Sequence, residues 1–212
     1  MELKDLTIHF LGDSITEGYG VRVQANVFHQ IIKETHHLTD AYNYGLGGTR
    51  IARQIVPSKE NPKSDLTFEL RSETMAPHAD IIVVFGGTND YGHGDAPFGT
   101  WDSEDRYTFC GAVNALITTL QQRFPRAKLI FMTPLHRADE AEPSSPDGKI
   151  LADYANAIVT ICNRRKVDVI DLFGIDPLDP RDPTLVPDGL HPNDAGHAIL
   201  AQVIARELLK GK

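Results

Sequence analysis

Leu6-Thr7-Ile8-His9-Phe10-Leu11 runs directly into Gly12-Asp13-Ser14-Ile15-Thr16, and this junction decides how the chain is read. The first stretch has the length and apolarity of a strand buried on both faces, and Gly-Asp-Ser ends it with turn and capping residues. Four similar runs follow at Ala41–Tyr44, Ile81–Gly86, Leu129–Thr133 and Val167–Leu172. Between them apolar residues recur at helical spacings of three and four: Phe109, Val113, Leu116, Leu120 and Phe124, then Ile150, Tyr154, Ile158 and Ile161, then Ile199, Val203 and Ile204. Strands alternating with helices predict a parallel α/β sheet covered on both faces and joined by right-handed crossovers. Five strands point to the flavodoxin-like order 2-1-3-4-5.

No repeat, low-complexity tract or Pro/Ser-rich linker divides the 212 residues, so one domain over 1–212 is expected. With 41% hydrophobic and 24% charged residues the composition is that of a folded globular chain. A net charge of −8 disfavours nucleic acid and anionic membrane surfaces as partners, both of which attract clustered Lys and Arg. The N-terminus lacks a basic region followed by a long apolar run, so a cytoplasmic location is the default expectation. Cys110 and Cys162 fall on apolar helix faces and read as buried free thiols.

In an open parallel sheet, ligands bind beyond the carboxyl ends of the strands, near the point where strand order reverses. The polar clusters lie there. Ser14 follows the first strand, Asn43-Tyr44-Gly45-Leu46-Gly47-Gly48-Thr49 closes the second, Gly86-Gly87-Thr88-Asn89-Asp90 follows the third, and Asp188-Gly189-Leu190-His191-Pro192 comes after the fifth. Serine, histidine and aspartate are the residue types of an acyl-transfer triad. A serine hydroxyl becomes a nucleophile when an imidazole takes its proton, and that imidazole needs an acceptor on its other nitrogen. Asp188 and His191 are close enough in sequence to meet in one turn. Each cluster also has a plainer use: Asp13 or Ser14 as a helix cap, Asn43 and its glycines as turn chemistry, Asn89-Asp90 as an Asx turn, and Asn193 as the cap of the last helix.

Taken together, Gly12-Asp13-Ser14, the Gly48 of Asn43-x-Gly45-x-x-Gly48, Gly87-Thr88-Asn89-Asp90 and Asp188-x-x-His191-Pro192 resemble the four sequence blocks of the SGNH hydrolases, or GDSL esterase/lipase family. The resemblance spans residues 12 to 192 in the family's order. It implies a three-layer α/β/α sandwich, Ser14 as nucleophile, His191 as base, Asp188 as its orienting acid, and an oxyanion hole from Ser14, Gly48 and Asn89. The first block departs by one apolar exchange, Ile15 standing where the family has Leu. Gly45, Gly47 and Gly48 all compete for the backbone oxyanion position, and Asp90 reads as structural.

The connections Tyr91–Glu104, Leu135–Asp147 and Phe173–Asp188 are long enough to be walls or lids. Their mixture of aromatic and hydrogen-bonding residues, with Tyr91, Trp101 and Arg137 as candidate substrate contacts, predicts a short acyl group, acetyl first, on a polar or carbohydrate alcohol. Longer acyl chains, as in a lysophospholipase or thioesterase, would need a continuous apolar trough that these segments do not spell. His93 and His197 lack any metal-ligand pattern, and no Gly-x-Gly-x-x-Gly or Gly-Lys-Ser/Thr motif is present, so neither metal nor cofactor is expected. A non-catalytic flavodoxin-like domain, with Ser14, Thr16 and Gly18 around a phosphate, leaves Asp188 and His191 without a use.

Overall fold

A computed structural model describes residues 2–59, 61–143 and 147–210. In chain order the elements are β1 (Thr7–Gly12), α1 (Ser14–Glu17), α2 (Phe28–His36), β2 (Asp40–Gly45), α3 (Phe68–Ser72), β3 (Ile81–Phe85), α4 (Thr88–His93), α5 (Phe109–Arg123), β4 (Lys128–Met132), α6 (Leu151–Arg165), β5 (Asp168–Ile170), α7 (Leu172–Ile175) and α8 (Asp194–Lys210). The five strands form one sheet in the order β2-β1-β3-β4-β5, and every pairing is parallel. This is the predicted flavodoxin-like α/β/α arrangement.

Alternation along the strands builds two cores. Leu11, Ile82, Val84 and Phe131 face a cluster completed by α5 and α6. Their neighbours Ile8, Phe10, Ile81, Val83, Ile130 and Met132 face the opposite cluster, completed by α2 and α8. A strand with helices on both faces must be apolar at odd and even positions alike, which is why these segments read as unbroken runs. Cys110 and Cys162 are buried free thiols whose pKa values burial lifts to about 11 and about 12.

The fifth strand is shorter than its apolar run, which extends from Val167 to Leu172. Asp171 ends it by capping α7, where its side chain accepts the Gly174 N–H at 3.0 Å, so Leu172 packs from a helix instead. The parallel register aligns Gly12 with Gly45 and with Phe85, and so brings the segments after β1, β2 and β3 side by side at one sheet edge.

Candidate active site

Ser14 is the first residue of α1, immediately beyond β1. The Asp13 side chain caps that helix by accepting the Ile15 N–H at 3.0 Å. Burial lifts the Asp13 pKa to about 7, against the pull of the Ile15 amide and the Arg71 guanidinium. Gly12 is required by space alone, because a Cβ there would lie 2.0 Å from Thr16 Oγ1. The cap is therefore Asp13, and the Ser14 hydroxyl is left free of that role.

The Ser14 Oγ lies 2.9 Å from His191 Nε2, and His191 Nδ1 lies 2.7 Å from Asp188 Oδ2. The carboxylate can only accept, so the ring proton sits on Nδ1 and leaves the Nε2 lone pair facing the serine. Asp188 Oδ1 accepts the N–H groups of Leu190 and His191 at 3.0 and 2.7 Å, so the turn assembles its own acid–imidazole pair. Burial works to raise the Asp188 pKa, but hydrogen bonds from His191 and Leu190 outweigh it and hold the carboxyl below its ordinary value. Asn193 caps α8 through the amides of Ala195 and Gly196 and fixes the far side of this turn.

The three glycines differ in what their amides meet. Gly45 N–H donates to Asn43 Oδ1 and Gly47 N–H donates to Glu17 Oε2, both at 2.8 Å. Among the described residues Gly48 N–H has no partner, and neither has Ser14 N–H. Gly48 also adopts φ +73°, a left-handed conformation that suits glycine. Asn89, on the first turn of α4, is buried and donates from Nδ2 to Thr49 O at 2.9 Å. The next residue, Asp90, is also buried and accepts Ile51 N–H at 3.0 Å and Ala52 N–H at 2.8 Å, which clamps the Gly48 loop to α4. Burial lifts its pKa to about 6 against those two amides and Arg50.

Two residues near the site carry no sequence signal beyond their type. Arg71 on α3 donates to Tyr44 O, to Gly12 O at 2.9 Å and to Thr49 Oγ1 at 2.9 Å, tying the ends of β1 and β2 to the Gly48 loop. Burial lowers its pKa to about 10, against Asp13 and Glu17. Tyr19, 60% exposed, lays its ring 4.5 Å from that of His191.

The expected substrate contacts are placed differently. Tyr91 is 1% exposed, and its hydroxyl donates to the carbonyls of Asp139 and Glu142 at 2.5 and 2.8 Å, so it is a strut beneath the 135–142 segment and not a wall. Arg137 stacks on that ring, pairs with Asp139 and donates to Thr88 O, joining the same segment to α4. Trp101 packs edge-on against Phe98, its carbonyl held by Asn114 of α5; among the described residues no hydrogen bond or ring contact joins it to Ser14, His191 or Asn89. The 135–142 segment does reach the site, through Ala138 N–H to Gly189 O at 2.9 Å. Ser144–Pro146 of that expected wall lie outside the described residues. Among the described residues no three His, Cys, Asp or Glu side chains gather into a metal-binding set, and no helix is long and apolar enough to cross a membrane.

Residues 10–199 match the sequence model of the GDSL-like lipase/acylhydrolase family. The GDSL lipase Rv0518 of Mycobacterium tuberculosis is 30% identical over 143 residues, covering 65% of this chain and 53% of its own length. The chain thus spans about half the length of that curated relative. A solved protein from Lactobacillus plantarum superposes with a TM-score of 0.82 at 27% identity, covering 99% of both chains. The acetyl xylan esterase AlAXEase shares the fold with a TM-score of 0.64 at 21% identity, over 95% of this chain and 98% of its own. With its four blocks inside the matched span and brought to one edge of the sheet, the chain belongs to the GDSL-like lipase/acylhydrolase family.

Proposed function

We propose that this protein is a serine esterase that releases a short acyl group, acetyl first, from a polar alcohol through an acyl-enzyme. The observation that carries the reading is the unbroken chain Ser14 Oγ, His191 Nε2, His191 Nδ1, Asp188 Oδ2. Ser14 Oγ attacks the ester carbonyl carbon as its proton passes to His191 Nε2. The negative charge that develops on the carbonyl oxygen meets the N–H groups of Ser14 and Gly48 and the Nδ2–H of Asn89. The tetrahedral adduct collapses, the alkoxide leaves with the proton from His191, and the acyl group stays on Ser14. Water then attacks, gives its proton to His191, and the acid departs as Ser14 recovers the proton.

The leaving alcohol must lie against His191 Nε2, and Tyr19 is the aromatic face on that side. An exposed ring next to a polar turn suits the C–H face of a sugar, and an acetylated carbohydrate is the alcohol class this favours. The acetyl xylan esterase of like fold is a precedent for such chemistry on this scaffold, no more. A second reading has its own observation: Ile55 and Val56 stand exposed on the loop that runs on from Gly48, where a longer acyl chain could rest.

Comparing kcat/KM for p-nitrophenyl acetate, butyrate, octanoate and decanoate, and then acetate release from an acetylated sugar, separates the two. We expect the acetate ester to lead and the sugar to be deacetylated. An optimum at eight carbons or longer, without acetate release, would replace the short-acyl reading by the lysophospholipase or thioesterase one.

A further inference from the structure

Asn89 can serve as an oxyanion donor only if its nitrogen, and not its oxygen, faces the reacting carbonyl. A free carboxamide turns over easily, since its two ends are nearly the same shape. Here both ends meet partners that allow one role only. Thr49 O, which accepts and cannot donate, lies 2.9 Å from Nδ2. At the other end His93 Nε2 lies 3.2 Å from Asn89 Oδ1. A neutral imidazole can donate or accept, so this second contact fixes the amide only if something fixes the histidine.

Arg50 does so. Its Nη1 lies 3.2 Å from His93 Nδ1 and 3.1 Å from the His93 carbonyl. A guanidinium has donors and no acceptor, so Nδ1 must be the unprotonated nitrogen and the ring proton must sit on Nε2, aimed at Asn89 Oδ1. Arg50 is itself buried and held by Ser58 Oγ and Asp65 Oδ1, each at 2.9 Å. Turning the Asn89 amide over would set its oxygen against the Thr49 carbonyl and its N–H against the His93 N–H, losing one buried and one part-buried hydrogen bond at once. Burial first, then the charges of Arg50 and Arg137, push the His93 pKa below its ordinary value, which keeps the ring in the neutral form this chain of bonds needs.

We propose that Arg50 and His93 are positioning residues: through a one-way chain of hydrogen bonds, Arg50 to His93 to Asn89, they hold the Asn89 nitrogen toward the oxyanion site. The spacing Asn89-x-x-x-His93 puts both side chains on one face of α4, and Arg50 arrives from the loop that carries Gly48. The relay thus joins the two segments that supply oxyanion donors. It rests on the reading of Asn89 as one of those donors.

The test is steady-state hydrolysis of p-nitrophenyl acetate by the full chain, with active sites counted by fluorophosphonate titration. Four variants are compared with wild type: Asn89→Ala, His93→Met, His93→Gln and the double Asn89→Ala/His93→Met. Asn89→Ala should lower kcat by about 10²–10³, as loss of one oxyanion donor does. His93→Met keeps the bulk and loses the donor, and should lower kcat about tenfold or more with KM changed by less than about twofold. His93→Gln restores an N–H where Nε2 stood and should recover kcat to within about threefold of wild type. The double variant should be no slower than Asn89→Ala, because both changes act through one amide.

The relay is overturned if His93→Met keeps wild-type kcat, if His93→Gln falls as far as His93→Met, or if the two losses multiply in the double variant. Should His93→Met not fold, His93→Gln decides by itself: a kcat as low as that of Asn89→Ala refutes the relay, and near-wild-type kcat supports it. Unchanged kcat in Asn89→Ala is a different failure, that of the oxyanion reading.

Discussion

The turn that carries Asp188 and His191 holds itself together, whereas the loop that carries Gly48 is held by everything around it. Asp188, its side chain 50% exposed, bonds to two backbone amides and the imidazole of its own four-residue turn. The Gly48 loop depends instead on Asp90 from α4, Arg71 from α3 and Glu17 from α1. In the reaction we propose, the first region moves a proton and the second presents fixed dipoles. A proton relay needs correct partners at short range, which one turn can supply. A dipole cradle must not reorganise as charge appears, and rigidity of that kind comes from burial and long-range bonding.

Changes in the two regions should therefore fail differently. Replacing His191 by Ala should lower kcat by a factor on the order of 10⁴–10⁶, with stability changed by less than about 1 kcal/mol, because the ring sits on a self-supporting turn. Kinetics alongside thermal unfolding would check this, and a large loss of stability would erase the distinction between the regions.

Replacing Asp90 by Ala should do the reverse. It leaves the buried amides of Ile51 and Ala52 without acceptors, at a cost on the order of 3 kcal/mol in stability. The remaining folded protein should lose less activity than the His191 variant. Urea unfolding with active-site titration would measure both, and a stable but inactive Asp90→Ala protein would make Asp90 part of the chemistry.

A buried polar group away from both regions gives the smallest effect and calibrates the others. His9 on β1 is fully buried and enclosed by the rings of Tyr42, Tyr44 and Phe124. Burial lowers its pKa from 6.5 to about 4, against the charge of Asp40 and a hydrogen bond with the His78 backbone. A pKa lowered by folding means that the unfolded chain binds the proton first. The stability this neutral ring supplies is present above the unfolded value and is lost as pH falls toward the folded one. Between pH 7 and pH 5 that loss is about 2 kcal/mol, since each tenfold change in a proton-binding equilibrium is worth about 1.4 kcal/mol. His9→Phe should remove that part of the acid sensitivity while kcat at pH 7 stays near wild type. An unchanged pH dependence of unfolding would show that the ring is protonated or solvated in the fold.

The same contrast explains what can be read from the sequence. Strands that need apolar residues on both faces appear as near-continuous runs, so β1, β3 and β4 are legible; β2, at the sheet edge, buries only Ala41, and β5 loses Leu172 to the helix that Asp171 caps and Val167 to the turn closing α6, where its N–H donates to Cys162 O. Asp188-x-x-His191 is legible because its geometry is local. Choosing Gly48 over Gly45 and Gly47 requires the partners Asn43 and Glu17, and the Glu17 contact spans 30 residues. Tyr91 reads as a wall residue because nothing beside it in the sequence announces the carbonyls that bury its hydroxyl. Tyr19 is silent because its neighbour His191 lies at the other end of the chain. Arg50 and His93 lie 43 residues apart, and their types alone give no reason to pair them.

The central claim is that Ser14 carries the acyl group. Intact-mass and peptide mapping after treatment with a fluorophosphonate should show a single adduct, located on Ser14, formed by wild type and absent from Ser14→Ala. An adduct on another residue, or equal labelling of Ser14→Ala, would contradict the account.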